Sequence, residues 1–374
     1  MPIPVSWSSA LAWRLERQLL DPIGRLPVAD VVRRLGGVQA QVASAAELGV
    51  RIRRRASHPG EVERALADGR LIKTWAMRGA LHLVAPDTGS ALLSLIAAAK
   101  PWARPGWDRY YDMNEARWLA YFDAVRRALD GTTLSREELV AAIAATPGLG
   151  HLADGLRSGW GTLLKPLAWS GELCFGPSRG THVTFRRPAD ASTEWAGLPA
   201  AEDAAPVAVE AYFGAYGPAT LEAFNHWMGG GWLRKRALRE MVDAHGSGRL
   251  VEVDVEGRRA FVLAEHVDGL VAARPSSAVR LLPNFDAWVL GPGSRDEQVV
   301  PKAHLAAVSR QAGWISPIVV AAGRVAGTWQ LDKDRLAVAW FPEAGEIPAD
   351  KLEAEVDRLS TILGRPLSLS VTRP

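Results

Sequence analysis

LVEVDVEGRRAFVL, residues 250–263, alternates apolar and polar side chains on either side of Glu256-Gly257, as a two-stranded hairpin does. Just upstream, Val207–Ala215, a Tyr216-Gly217-Pro218 break and Ala219–Met228 read as helix, turn and helix, and Leu233–His245 reads as a further helix. Helices closed by a hairpin form the winged-helix plan. In that plan one helix can enter the major groove of DNA while the hairpin meets the backbone.

Outward from this stretch, the same order occurs twice more. In the first unit, Val5–Leu20, Asp30–Leu35, Ala43–Ile52 and Gly60–Ala67 carry helical patterns, and Gly36-Gly37 ends the second of them. Strands over Arg70–Ala76 and Ala80–Val84 then flank a Met77-Arg78-Gly79 turn. In the second unit, Glu115–Leu129 is helical, Ser135 opens another helix with Glu138 at the capping-box position, and Leu152–Ala168 is a third. Strands Glu172–Phe175 and His182–Phe185 bracket Gly176-Pro177-Ser178-Arg179-Gly180.

The expected class is α+β, with three tandem winged-helix units at residues 1–85, 86–190 and 204–275 and a polar, acidic linker around Ala189–Ala205. A C-terminal mixed segment of strands and helices covers residues 276–374. There, Val279–Leu282 and Trp288–Leu290 flank Pro283-Asn284-Phe285-Asp286. Ile315–Ala321 and Val325–Trp329 make a hairpin closed by Ala322-Gly323-Arg324, and Asp350–Leu363 is a final amphipathic helix.

A chain of 374 residues is too long for one compact core and suits several domains. Its net charge of +3 is uneven: residues 1–100 hold 14 Lys and Arg against 8 Asp and Glu, whereas residues 191–374 hold 19 against 23. An acidic partner such as nucleic acid would meet mainly the N-terminal part. The single Cys174 excludes an internal disulfide framework and a Cys-rich metal centre, and between Leu173 and Phe175 it reads as a buried structural thiol. Eight dispersed His give no metal-ligand spacing, and Gly229-Gly230-Gly231 lacks the Lys-Ser/Thr of a phosphate loop, so neither metal nor cofactor is expected. Neither a signal-peptide pattern nor an apolar run of about 18 residues is present, which points to a cytoplasmic protein. The 15 Trp fall mostly within apolar stretches, where they fill cores rather than serve as stacking platforms.

Gly37-Val38-Gln39-Ala40-Gln41 places two neutral amides two residues apart, just ahead of a helix. In extended backbone those side chains share a face. Each amide can both donate and accept hydrogen bonds but is neither acid nor base, which suits a reaction needing water positioned rather than deprotonated. The plainer alternative is a pair of solvated residues leading into the helix.

The chain resembles the AlkZ-type (AlkZ/AlkX, YcaQ-like) family of bacterial winged-helix DNA glycosylases. The resemblance rests on Val38-Gln39-Ala40-Gln41, Lys73-Thr74-Trp75-Ala76-Met77-Arg78-Gly79-Ala80-Leu81-His82, Leu281-Leu282-Pro283-Asn284-Phe285-Asp286 and Gly323-Arg324-Val325-Ala326-Gly327-Thr328-Trp329, in that order. It covers almost the whole chain. It implies a C-shaped scaffold of three tandem winged-helix motifs with a basic concave face, acting without metal on duplex DNA that carries alkylated purines. The implied reaction is hydrolysis of the N-glycosidic bond of bulky or cross-linked N7-alkylguanine. The family's catalytic Gln-hydrophobe-Gln motif falls on Gln39, Ala40 and Gln41, with Ala40 smaller than the usual aliphatic residue. A sister branch carries Asp where this chain has Gln41. The chain thus resembles the branch that often accompanies genotoxin biosynthesis, which implies self-resistance to a DNA-alkylating natural product. The family's DNA-probing hairpin would correspond to Ile315–Trp329.

The remaining candidates follow from charge and position. Arg51, Arg53 and Arg54 after the third helix are candidate phosphate contacts, as are Lys73, Arg78 and His82 in the first hairpin. Arg179 and Arg324 stand at expected hairpin tips, where an Arg can enter a groove. Asp286 is the one acidic residue in a resembling motif and could assist catalysis or hold structure. A monomer bound to double-stranded DNA is expected. The rival reading is a non-catalytic winged-helix regulator, which would bind DNA sequence-specifically and be indifferent to Gln39→Ala.

Overall fold

Strand pairing divides the computed structural model, which describes residues 2–231, 236, 238–239, 242 and 248–373, into four sheets among those residues. The first strand, β1 (Ile3–Val5), finds its partner far along the chain. The first compact unit contains β2 (Val38–Gln39), β3 (Ile72–Trp75) and β4 (Leu81–Val84), ordered β2-β4-β3 and antiparallel throughout. Helices Val28–Arg34, Ala43–Arg51 and Glu61–Ala67 precede its hairpin. The second contains β5 (Leu134–Ser135), β6 (Cys174–Arg179) and β7 (His182–Arg186), ordered β5-β7-β6. The third joins β8 (Leu250–Val255) and β9 (Arg258–Leu263) to β1, which lies parallel to β8 with Ile3 opposite Val253. Glu256-Gly257 turns the chain between β8 and β9, and the Asp254 carboxylate accepts from the Gly257 amide.

The C-terminal segment is a five-stranded sheet of β10 (Val279–Leu282), β11 (Ile318–Ala321), β12 (Arg324–Asp332), β13 (Arg335–Trp340) and β14 (Ser368–Thr372), in sequence order. Helix Ala349–Leu363 lies against it, burying Leu352, Val356 and Leu359 with Leu281 and Trp340. The chain is therefore a mixed α/β protein. Among the described residues no helix is long and apolar enough to cross a membrane.

Several expected elements differ in extent for local reasons. The Ser135–Glu138 capping box forms as expected, each partner closing one amide of the other. Leu152–Ala168 is not one helix: Ala153–Arg157 and Leu164–Trp169 are separated by a turn through Gly159 and Gly161, and any side chain at Gly161 would collide with the Trp75 ring. Helix Ala201–Tyr216 begins inside the expected linker and packs along Pro86–Ala99. Trp288–Leu290 lies in a single helical turn, Ala287–Leu290, capped by Asp286. Most of the helix expected at Leu233–His245 lies outside the described residues. Cys174 is fully buried, and burial pushes its thiol up to about 12, in keeping with a structural role.

Two cores meet around the first unit. The larger runs from Val28, Val38 and Ala40 through Leu83 to the aromatic group Tyr212, Phe213, Tyr216, Phe224 and Trp227. The second sets Leu11, Leu15, Leu20 and Ile52 against Leu282, Phe285, Trp288 and Ile318. The segment between Gly36 and Ile52 is thus gripped from both sides, which fixes the geometry described next.

Candidate functional site

Gly37 begins the site. Its φ of +121° is closed to side-chain-bearing residues, and a Cβ there would lie 3.0 Å from Met77 Cε and 3.3 Å from the Leu83 carbonyl oxygen. The close approach lets β2 pair with β4, Val38 opposite Leu83 and Gln39 opposite His82, and lets the Ala40 amide donate to the Leu81 carbonyl at 2.7 Å. Val38 and Ala40 turn into the core, while Gln39 is half-buried and Gln41 is exposed. The small Ala40 side chain is fully enclosed, so the shortened central position packs well. Helix Ala43–Arg51 starts two residues after Gln41 with no side-chain cap and no acidic residue in its first turn. Its leading amide groups and their partial positive charge therefore lie next to the amide pair.

Behind the pair stand Arg78 and His82. His82 is buried and directly opposite Gln39, so the two side chains share a face of the sheet. Its Nδ1 lies 2.9 Å from the Ala80 carbonyl, which can only accept, so Nδ1 carries the proton and Nε2 keeps a lone pair. Burial, with the Arg78 charge nearby, holds its pKa down to about 3, so the ring is neutral. Arg78 is half-buried, donates from Nη1 to the Trp227 carbonyl at 2.9 Å and faces Gln39 Oε1 from Nη2 at 3.5 Å. Of the expected residues, the structure brings together Gln39, Gln41, Arg78 and His82.

The arginine run after the helix is corrected from a phosphate face to a structural one. Arg53 is 1% exposed and makes two bonds to the Asp286 carboxylate, at 2.8 and 2.7 Å, with a third to the Gly49 carbonyl. Arg51 is also buried and donates to the Ile362 carbonyl and Ser57. Arg54 pairs with Glu61 and the Leu26 carbonyl. Asp286 spends both carboxylate oxygens on Arg53 and also caps the turn Ala287–Leu290 through the Trp288 amide. It belongs to the brace that holds the helix after Gln41 against the C-terminal segment, not to the amide pair.

The other expected contacts are scattered. Lys73 points at the second unit, its ammonium 5.4 Å from the centre of the Phe175 ring. Arg179 is the last residue of β6, paired with His182 across the Gly180-Thr181 turn, and is held by Glu138 and the Thr133 carbonyl. Arg324 is the first residue of β12, paired with Ala321 and bonded to Gln298. The turn beside it, Ala322-Gly323, packs on Leu11 of helix Trp7–Arg17, so it does not project. Sequence reasoning missed the link from Arg78 to Trp227, whose two ends lie 149 residues apart. The signal available was a large residue in a turn before Gly79, where its φ of +55° is costly.

The "DNA glycosylase AlkZ-like" family profile matches residues 32–362, which span every residue of the site. The chain belongs to the AlkZ-like DNA glycosylase family. It is similar to a Streptomyces sahachiroi protein named "Interstrand DNA cross-link repair glycosylase", with 44% identity over 360 residues, 96% of this chain and 97% of the relative. It is also similar to the solved structure of the Streptomyces sahachiroi DNA glycosylase AlkZ, at a TM-score of 0.95 and 43% identity, covering 99% of this chain and 100% of that one. As a family member the chain is an enzyme, a DNA glycosylase, and the regulator reading is set aside.

Proposed function

We propose that this glycosylase hydrolyses the N-glycosidic bond of cationic alkylated purines in duplex DNA, with bulky or cross-linked N7-alkylguanine as its substrate class. The observation that carries the proposal is a pair of neighbouring amides, half-buried Gln39 at the end of the strand held by Gly37 and exposed Gln41 in the bend that leads into helix Ala43–Arg51. The Streptomyces relative named for cross-link repair, nearly collinear with this chain, supports the lesion class.

The chemistry fits uncharged residues. Alkylation at N7 leaves guanine cationic, so cleavage of the C1′–N9 bond releases a neutral base and needs no proton from the enzyme. The sugar becomes oxocarbenium-like, and water is nucleophile enough once it is held in line. Two neighbouring amides can hold that water without burying a carboxylate. His82, neutral and short of a proton at Nε2, adds no positive charge beside the developing cation. On this reading the three helix-and-sheet units are tandem winged-helix motifs that form a C-shaped, DNA-embracing scaffold acting as a monomer. A broad concave face admits adducts that a deep base-flipping pocket would exclude.

The test uses two duplexes, one with a single N7-alkylguanine and one with an interstrand N7–N7 cross-link. Free base released from the first and strand separation with an abasic site in the second are expected. Intact glycosidic bonds in both, with duplex binding retained, would overturn the proposal.

A further inference from the structure

Arg78 sits in the β3–β4 turn at φ +55°, ψ +16°, in the left-handed region, followed by Gly79 at +66°. That conformation is costly for a residue with a side chain. Strain of this kind persists where the surroundings hold it, and it clusters at functional sites. Here the side chain does the holding. One Nη1 hydrogen meets the carbonyl of Trp227, among the last carbonyls of helix Leu221–Gly229, where partial negative charge collects. Nη2 meets Gln39. Among the described residues no carboxylate pairs with Arg78, so its charge is not spent on an ion pair.

We infer that Arg78 is a positioning residue that fixes which way the Gln39 amide points. A guanidinium has donors only, whereas an amide has an oxygen that accepts and an NH2 that donates. Only the Gln39 oxygen can face Arg78, since the reverse rotamer would set donor against donor. The NH2 of Gln39 is then presented away from Arg78. Gln41 makes no hydrogen bond among the described residues, so its amide turns freely. The two glutamines are therefore unequal: Gln39 donates and Gln41 accepts.

A water accepting from Gln39 and donating to the Gln41 carbonyl keeps one lone pair and one hydrogen. That lone pair forms the C1′–O bond as the C1′–N9 pair returns to the base and cancels its positive charge. The added oxygen, still carrying both hydrogens and the positive charge, loses one proton to solvent and becomes the C1′ hydroxyl. The inference rests on the glycosylase reading above and adds the division of labour between the glutamines.

The test is a double-mutant cycle on the full chain, with single-turnover base release from an N7-alkylguanine duplex and duplex affinity measured separately. Arg78→Gly suits the left-handed backbone, so it removes the guanidinium without adding strain; Arg78→Lys keeps the charge but loses the fork. At 3.5 Å the Arg78–Gln39 contact is long and is worth no more than an ordinary hydrogen bond, about 0.5–1.5 kcal/mol, so each variant should slow release by roughly two- to tenfold, with affinity close to wild type. Adding guanidinium ion to Arg78→Gly should restore part of the rate, against sodium at matched ionic strength. In a Gln39→Ala background, Arg78→Gly should slow release no further. Full additivity in that background, or a loss confined to affinity, would overturn the inference and make Arg78 a structural or phosphate-binding residue. Undiminished release by Gln39→Ala alone would instead sink the reading it rests on.

Discussion

Replacing Asp286 by Ala separates its two possible roles. The Arg53–Asp286 pair is buried at both ends, with side chains 1% and 2% exposed. The carboxylate accepts two bonds from Arg53 and one from the Trp288 amide at 2.8 Å. Removing one partner of a buried pair leaves the other charge uncompensated, at a cost of about 3–5 kcal/mol. Loss of the helix cap adds about 1 kcal/mol. The sum is a large share of the roughly 5–15 kcal/mol that holds a typical protein folded. Urea unfolding followed by tryptophan fluorescence should therefore show a midpoint far below wild type. Asp286→Asn, which keeps an oxygen for the cap and for one Arg53 bond, should fall between. Near wild-type stability of Asp286→Ala, together with a collapsed rate of base release, would refute the reasoning and return Asp286 to the catalytic group.

Two further outcomes follow from the strand that carries the glutamines. Gly37→Ala forces a Cβ to within 3.0 Å of Met77 and strains a φ of +121°; it should cost about 1–3 kcal/mol in thermal unfolding and slow base release by shifting Gln39. Wild-type stability and rate would contradict this. His82 should shape acid sensitivity, because its pKa of about 3 in the folded chain lies below the ordinary 6.5. Its contribution to stability is complete above pH 6.5 and is lost as pH falls from there toward 3, where the unfolded chain takes up the proton first. His82→Gln should flatten stability against pH in that window; an unchanged slope would count against a neutral buried imidazole.

Local patterns were legible and distant partners were not. The hairpins at residues 70–84 and 250–263 could be read because alternation and turn residues are local signals. The burial of Val38 and Ala40 between the less buried Gln39 and Gln41 could be read from the apolar-polar alternation, whereas the bend at Gln41, two residues past the end of β2, could not. β1 was not legible: three residues carry no pattern, and the strand exists only because β8 lies beside it. The arginine run after Val50 misled for the same reason. Its charge looked solvated, yet the carboxylate that buries Arg53 comes 233 residues later. Turn residues mark the hairpins that carry Arg179 and Arg324 without fixing the last pair: Arg179 pairs with His182 and Arg324 with Ala321, so each flanks a two-residue turn.

The central claim is that the two amides hold the attacking water. Its most direct measurement is the single-turnover rate of base release from an N7-alkylguanine duplex by wild type, Gln39→Ala and Gln41→Ala, each saturated with substrate. Loss of one positioned hydrogen-bonding group should slow release by roughly a hundredfold or more in each variant while duplex affinity holds. Release at the wild-type rate by both variants would contradict the account.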